Sequence, residues 1–211
     1  AGWRYPTGMP HDSAATGHGL PDDLELALSL ADSADALTMQ RFGAIDLRVD
    51  DKPDLTPVSD ADLACETMVR QRLAARRADD AVLGEEFGGD AVLRGRQWVV
   101  DPIDGTVNYT YGIPHACVSI ALQQRSTRRT ARQTEGYETL VGVIYDPFLD
   151  EMWTATRDDV ARLNGKRIHV SQRGRLEECV LAIGFSKTKA SMDLMLPGFN
   201  RLVQRVRKMR I

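Results

Sequence analysis

The sequence predicts a layered α+β fold. Helical patterns occupy the first third of the chain, short strand patterns joined by tight turns occupy the middle, and strict strand–helix alternation is rare. Strict alternation indicates a parallel βαβ fold, whereas helices followed by hairpin-linked strands indicate helical layers against an antiparallel sheet. The 211 residues, 43% of them hydrophobic, are sufficient for a substantial core.

Composition narrows the class of protein. With 27 basic and 30 acidic residues, the chain has no excess of positive charge for general nucleic-acid binding. No run of 18 apolar residues predicts a membrane span. Cys65, Cys117 and Cys179 are widely spaced, which predicts buried reduced thiols and a cytoplasmic location. Residues 1–19 read as a flexible N-terminal extension, so an organellar targeting remnant stays open.

The first element is an amphipathic helix that begins near Pro21 and ends before Gly43. Proline suits a first helical turn and glycine suits a helix end. The apolar positions between them recur at helical spacing: Leu24, Ala27, Leu28, Ala31 and Ala34. Ile45, Leu47 and Val49 then alternate with polar residues, which predicts a half-buried strand.

A proline-punctuated loop from Lys52 leads into a second helix. Ser59 and Asp62 have the spacing of a capping box, with Asp in place of Glu. Two interpretations of Asp62 stay open: it compensates the helix dipole, or it has a functional role. Taken alone, Lys52 is a surface lysine, and the arginines near the helix end, including Arg70, need no functional role.

Two short apolar runs end in acidic residues, and they predict the functional centre. Residues 82–84 precede Glu85 and Glu86, and residues 98–100 precede Asp101 and Asp104, with Pro102 and Gly105 expected to stop the second strand. Carboxylates from two strand ends at one sheet edge suit Mg²⁺, whereas either turn alone could be solvated.

Two alternative motifs do not fit this stretch. An EF-hand loop from Asp101 requires acids or amides where Ile103 and Gly105 stand. A covalent aspartyl-phosphate mechanism requires an aspartate nucleophile where Pro102 stands. A covalent aspartyl-phosphate route is therefore disfavoured.

The remaining pattern is mostly strand. We expect a turn-rich loop over 108–114, a strand buried on both faces over 117–122, and a solvated loop from Arg125 to Glu138. Four strand candidates follow as an antiparallel meander: 140–145, 151–156, 160–163 and 167–170. Asn164-Gly165 is a strong hairpin signal within it. A strand over 180–185 and a helix over 192–206 complete the chain.

The motifs, in this order, resemble those of the inositol-monophosphatase family of Mg²⁺-dependent phosphomonoesterases. The resemblance extends from about residue 20 to the end, and it rests on the loop 52–62, Gly84-Glu85-Glu86 and Asp101–Thr106. Upstream of Asp101, the sequence is most similar to histidinol-phosphatases of the family. Downstream, residues 107–115 and 142–147 are more similar to inositol monophosphatases.

The family resemblance implies a fold and a metal site. The fold would be the layered αβαβα sandwich of this phosphatase type, with residues 20–211 forming its N-terminal and central part. Glu85, Asp101 and the carbonyl of Ile103 would hold one Mg²⁺, and Asp101 with Asp104 would hold a second, within a set of two or three ions.

The same resemblance implies roles in catalysis. Thr106 and Asp62 would position and deprotonate the attacking water, and the backbone N–H groups of Gly105 and Thr106 would bind phosphate. Lys52 and Glu86 would support the site. These roles agree with a mechanism in which metals generate the nucleophile and neutralise developing charge.

The expected substrate is a small phosphate monoester, inositol monophosphate ahead of histidinol phosphate. No nucleic acid or membrane is expected as a partner, and the full-length form is expected to be a lithium-sensitive homodimer. Family members continue for several dozen residues and carry a Trp-Asp pair, whereas Trp3, Trp98 and Trp153 are followed by Arg, Val and Thr. We therefore expect a C-terminally incomplete chain, and a catalytically weak metal- or phosphate-binding fragment stays as the alternative. The 125–138 stretch reads as an insertion.

Overall fold

A computed structural model of the chain describes residues 19–53, 56–89, 95–125, 136–184 and 188–210. The predicted N-terminal extension, apart from Gly19, and most of the predicted insertion lie outside the described residues. The chain divides into two compact units, Ala1–Ile168 and His169–Ile211.

The first unit contains three helices and nine strands among its described residues. They are α1 (Leu20–Arg41), β1 (Val49–Asp51), β2 (Pro57–Ser59), α2 (Asp60–Arg76), β3 (Ala81–Gly84), β4 (Arg96–Asp104), α3 (Thr106–Thr110), β5 (Cys117–Arg125), β6 (Tyr137–Asp146), β7 (Glu151–Thr156), β8 (Arg162–Leu163) and β9 (Lys166–Arg167).

A seven-stranded sheet with the order β3-β4-β5-β6-β7-β8-β9 forms the centre of this unit. β3 and β4 are parallel, and every following pair of neighbouring strands, from β4 and β5 to β8 and β9, is antiparallel. α1 and α2 bury their apolar stripes against the sheet, in a core that includes Leu26, Leu30, Cys65, Val69, Leu73, Trp98, Val100, Val118, Ile120 and Leu122. The predicted mixed α+β fold is confirmed.

The first helix and the hairpin signal are also confirmed. α1 has Pro21 in its first turn, and Gly43 follows its end with a φ of +69°. Asn164 and Gly165 both have positive φ and join β8 to β9 in a two-residue hairpin.

The strand predicted to begin at Ile45 is shorter than expected. Strand structure starts only at Val49, and Ile45 is fully exposed. Arg41 at the end of α1 holds Asp46 through an ion pair of 2.9 Å. This contact accompanies a turn directly after the helix, so the alternating residues cannot extend into a strand.

Three predictions about the central strands need correction. β4 does not stop at Pro102 but continues to Asp104. The predicted loop over 108–114 begins as the last turn of α3. On β5 only alternate side chains are fully buried, with Val118 and Ile120 inside and Ser119 half-buried, because the helices of the core pack on one face of the strand.

The second unit contains a short 3-10 helix (Leu176–Glu178), β10 (Val180–Ala182), α4 (Lys189–Leu202) and β11 (Lys208–Arg210). β10 and β11 pair in parallel. The strand predicted over 180–185 is therefore shorter, and its last residue lies outside the described part. The helix predicted over 192–206 begins earlier, at Lys189, where Thr188 caps it. Among the described residues, no helix combines the length and apolar character needed to cross a bilayer.

Candidate active site

The parallel pairing of β3 with β4 brings the two acidic strand ends together. Gly84 lies opposite Val100, and the Glu85 N–H donates to the Val100 carbonyl at 3.1 Å. Glu85 therefore leaves β3 directly beside Asp101 on β4. The Glu85 carboxyl group is close enough to act on the pKa of Asp101.

A β-bulge in β4 brings Asp104 to the same place. Asp101 pairs with Ser119 and Asp104 pairs with Cys117, so two residues of β4 lie opposite one residue of β5. In a regular strand, residues three apart point to opposite faces. The extra residue offsets that alternation, and Asp104 lies close enough for its charge to act on Asp101.

Glu85, Asp101 and Asp104 together form an acidic corner, and the pKa of Asp101 is strongly perturbed there. Its Oδ1 atom is buried and has no hydrogen-bond partner within the described part of the chain. Burial, the neighbouring Glu85 carboxyl group and the negative charges of Glu85 and Asp104 all raise the pKa of Asp101 well above its ordinary value. The charges that act on Asp101 from Glu85 and Asp104 are therefore both negative.

Lys52 supplies positive charge on the other side of Glu85. Its Nζ lies 2.9 Å from the carboxylates of both Glu85 and Glu86. The Glu86 side chain is 2% exposed, whereas that of Glu85 is 41% exposed. Burial acts to lower the pKa of Lys52, but the hydrogen bonds and charges of the two glutamates outweigh it and raise that pKa. Lys52 is thus part of the site rather than a solvated surface residue.

Asp62 and Thr106 meet from two different helices. The Thr106 hydroxyl lies 3.4 Å from Asp62 Oδ1 and 3.1 Å from the Ile103 carbonyl, and both side chains are buried. The predicted capping box is confirmed, because Asp62 also accepts from the Ser59 backbone N–H at 2.8 Å. Burial raises the pKa of Asp62, hydrogen bonds from Ser59 oppose the rise, and the charge of Glu85 adds to it.

Gly105 makes the turn between β4 and α3. Its φ is +108°, a conformation that costs little only for glycine. A Cβ atom here would lie 3.0 Å from the His115 carbonyl oxygen. Both torsion and space therefore require glycine between Asp104 and Thr106.

Cys117 lies at the edge of the acidic corner. Its Sγ is 4.0 Å from Asp104 Oδ2. Burial, followed by the charges of Asp104 and Asp101, raises the pKa of the Cys117 thiol to about 12. All three cysteines are free thiols, but only Cys65 is fully buried, so the prediction of burial is wrong for Cys117 and Cys179.

Glu66 is a residue near the site that the sequence did not predict. It is fully buried on α2, four residues after Asp62, and its carboxylate accepts hydrogen bonds from the backbone of the loop after β3. Arg70, which the sequence pattern left as an ordinary helix-end arginine, pairs with it at 2.7 Å. The available signal was a glutamate on the apolar face of a helix, with arginine four residues later.

The corner suits a divalent cation in its donor chemistry. Carboxylate and carbonyl oxygens are the ligands that Mg²⁺ prefers, and the buried Oδ1 of Asp101 offers an acceptor without a donor. Across the described ranges, however, no three His, Cys, Asp or Glu side chains converge closely enough to hold an ion. The carboxylates of Glu85, Asp101 and Asp104 would therefore have to move closer together to hold an ion.

Comparison with known proteins gives a consistent result. The sequence model of the inositol monophosphatase family matches residues 22–195. The histidinol-phosphatase of Mycobacterium tuberculosis is 51% identical over 150 residues, which cover 70% of this chain and 54% of that protein. The inositol monophosphatase of Mesembryanthemum crystallinum is 31% identical over 198 residues, covering 91% and 69%.

One solved structure is also similar to this chain. The extragenic suppressor protein suhB from Bartonella henselae matches with a TM-score of 0.77 and 30% identity, over 90% of this chain and 69% of that one. The chain spans between 53% and 59% of the length of three histidinol-phosphatases that it matches. Since the family match extends over most of its residues, we conclude that this chain belongs to the inositol monophosphatase family.

Proposed function

We propose that this protein hydrolyses a small phosphate monoester with a metal-activated water molecule. The observation that carries the proposal is the contact between Thr106 and Asp62, beside the acidic corner of Glu85 and Asp101. A hydroxyl and a carboxylate in contact are suited to orient a water molecule and accept its proton. Their proximity to clustered carboxylates supports an Mg²⁺-dependent reaction.

In this proposal, Glu85, Asp101 and the Ile103 carbonyl hold one Mg²⁺, and Asp101 with Asp104 hold another, in a set of two or three ions. The orphaned Asp101 oxygen and the crowding of like charges support these ligands. Bound Mg²⁺ lowers the pKa of coordinated water and neutralises charge on the phosphate.

The other roles, in orienting water, accepting its proton and binding phosphate, belong to side chains and backbone groups of this chain. Thr106 orients the water from its position between the Ile103 carbonyl and Asp62, and Asp62 takes the proton. The backbone N–H groups of Gly105 and Thr106 begin α3 and lack partners within that helix, so they are available to a phosphate oxygen. Lys52 pairs with Glu85, and the buried Glu86 pairs with the same Lys52 and so supports the site.

Two substrates are candidates. The 51% identity to a histidinol-phosphatase, against 31% to an inositol monophosphatase, favours histidinol phosphate and reverses the order that the motifs alone suggested. Inositol monophosphate remains the second candidate because the motifs downstream of Asp101 are more similar to those enzymes. The alternative to hydrolysis is a protein that binds metal or phosphate without turnover.

Phosphate release from histidinol phosphate and from inositol monophosphate, each with and without Mg²⁺, tests the proposal. We expect release that depends on Mg²⁺ and is faster with histidinol phosphate. Release that is unchanged by removal of Mg²⁺ would contradict the proposed chemistry. Saturable Mg²⁺ binding without release of phosphate from either compound would favour the binding role.

A homodimer and a cytoplasmic location also stay predictions. Free thiols at Cys65, Cys117 and Cys179 agree with a reducing compartment. Light scattering of a full-length form tests the dimer, and a monomer mass across concentrations would contradict it.

A further inference from the structure

We infer that Glu66 is a positioning residue that holds the loop carrying Glu85 in register with the acidic corner. The inference rests on the proposed function, because it concerns the same metal site. Glu66 lies on α2, and its side chain is completely buried. A buried carboxylate persists only where hydrogen bonds and opposite charge compensate the loss of water.

The compensation comes from the loop after β3. One carboxylate oxygen of Glu66 accepts from the Glu86 backbone N–H at 2.8 Å, and the other accepts from the Phe87 N–H at 3.3 Å. These are the two residues that follow Glu85 in the chain. Glu66 therefore fixes the backbone just beyond the proposed ligand.

Gly84 provides the space for this carboxylate. A Cβ atom on Gly84 would lie 1.9 Å from Glu66 Oε1 and 2.2 Å from its carboxyl carbon. The φ of Gly84 is not positive, so the backbone conformation does not itself demand glycine there. The close approach of Glu66 thus accounts for glycine before Glu85.

Arg70 supplies the opposite charge and holds the far end of the same loop. Its Nε lies 2.7 Å from Glu66 Oε1, another of its nitrogens donates to the Gly88 carbonyl, and its guanidinium lies 5.9 Å from the ring centre of Phe87. The Gly84 N–H closes the loop by donating to the same Gly88 carbonyl at 2.9 Å.

Glu66 lies on the same helix as the proposed proton acceptor. Asp62 lies four residues earlier, on the same helix and in contact with Thr106. One rigid helix therefore sets both the proposed proton acceptor and the loop that presents Glu85. Residues that orient a metal ligand in this way commonly change metal affinity by about 10–100-fold when they are replaced.

Glu66→Gln tests the inference because it keeps the size of the side chain and removes the charge and one acceptor. Calorimetric titration with Mg²⁺ and amide hydrogen exchange of the metal-free protein are the two readouts. We expect Mg²⁺ affinity to fall by about tenfold or more, with faster exchange at the amides of Glu86 and Phe87. Glu25→Gln, an exposed change on α1, should match the parent in both.

Val69→Ala controls for general loss of stability, because Val69 is buried one turn later on α2 without contacting the loop through a hydrogen bond. It should lower the melting temperature but leave Mg²⁺ affinity and the two amides unchanged. Equal weakening in Val69→Ala and Glu66→Gln would overturn the positioning role. So would a Glu66→Gln protein that binds Mg²⁺ as tightly as the parent and protects both amides.

Gly84→Ala provides a second variant. Its methyl group should displace the Glu66 carboxylate and weaken Mg²⁺ binding, and combination with Glu66→Gln should add little further loss. Fully additive losses would contradict the inference. A parent that binds no Mg²⁺ would instead overturn the proposed function, whereas the exchange of the two amides would still decide whether Glu66 holds the loop.

Discussion

Thr106 Oγ1 lies 3.4 Å from Asp62 Oδ1, although 44 positions separate the two residues in the chain. The contact joins the start of α3 to the first turn of α2. Asp62 also accepts from the Ser59 backbone N–H, and the Thr106 hydroxyl also donates to the Ile103 carbonyl. In the proposed function, this pair orients and deprotonates the attacking water.

Thr106→Ala tests that role. Loss of the hydroxyl should lower phosphate release by about a hundredfold or more, as expected for loss of assistance to proton transfer, and should leave Mg²⁺ affinity almost unchanged. Steady-state phosphate release and calorimetry together make the distinction. Thr110→Ala, on the same short helix, is the matched control and should retain the parent rate. Equal losses of rate and Mg²⁺ affinity in Thr106→Ala would indicate that Thr106 serves the metal instead.

Local spacing was enough to predict the parts of the site that are formed within a few residues. The three-residue separation of Ser59 and Asp62 predicts the capping box, and the apolar runs before Glu85 and Asp101 predict strand ends that carry acids. These features depend on hydrogen bonds or periodicity within one element. For that reason they are visible without the fold.

The bulge in β4 could not be predicted in this way. Proline lacks an N–H and normally ends a strand pattern, so the strand was expected to stop at Pro102. Pairing resumes beyond it because Cys117 on β5 provides a partner for Asp104. The contacts of Glu66 with the loop after β3, and those of Lys52 with Glu85 and Glu86, were not predictable for a related reason, since these partners lie 20 or more positions away in the chain.

Gly105→Ala should destabilise the protein. A φ of +108° and a Cβ only 3.0 Å from the His115 carbonyl predict a loss of about 1–3 kcal/mol in the free energy of unfolding. Denaturant titration measures this loss. Gly142→Ala is the control, because its φ is not positive and no atom lies within 4 Å of its Cβ. Equal effects of the two changes would contradict the strain assigned to Gly105.

Asp35 predicts a dependence of stability on pH. Burial, and then the charges of Asp32 and Asp150, raise the pKa of Asp35 from 3.8 to about 6. The folded state therefore holds this proton more tightly than the unfolded state, so the contribution of Asp35 to stability is complete below pH 3.8 and is lost as the pH rises through about 6.

Asp35→Asn should consequently be more stable than the parent at pH 7, with a difference that shrinks as the pH falls towards 4. Unfolding free energies of both proteins across this range provide the check. Asp22→Asn, an exposed change on the same helix, should follow the parent. A difference between Asp35→Asn and the parent that stays constant from pH 4 to pH 7 would refute the raised pKa.

The acidic corner leads to opposite predictions with and without metal. Asp101→Asn replaces an acid whose ionisation is opposed by burial and by Glu85 and Asp104, so the metal-free variant should melt at a higher temperature than the metal-free parent at neutral pH. The stabilisation that Mg²⁺ confers on the parent should be lost. Thermal melts with and without Mg²⁺ measure both effects, and Asp158→Asn, an exposed change, should behave like the parent.

Calorimetric titration of Mg²⁺ into the parent and into Asp101→Asn tests the central claim most directly. We predict a saturable isotherm for the parent and a loss of about tenfold or more in affinity for Asp101→Asn, because Asp101 is proposed to contact both ions. An Asp101→Asn protein that binds Mg²⁺ as tightly as the parent would contradict the claim that the corner of Glu85, Asp101 and Asp104 is the metal site.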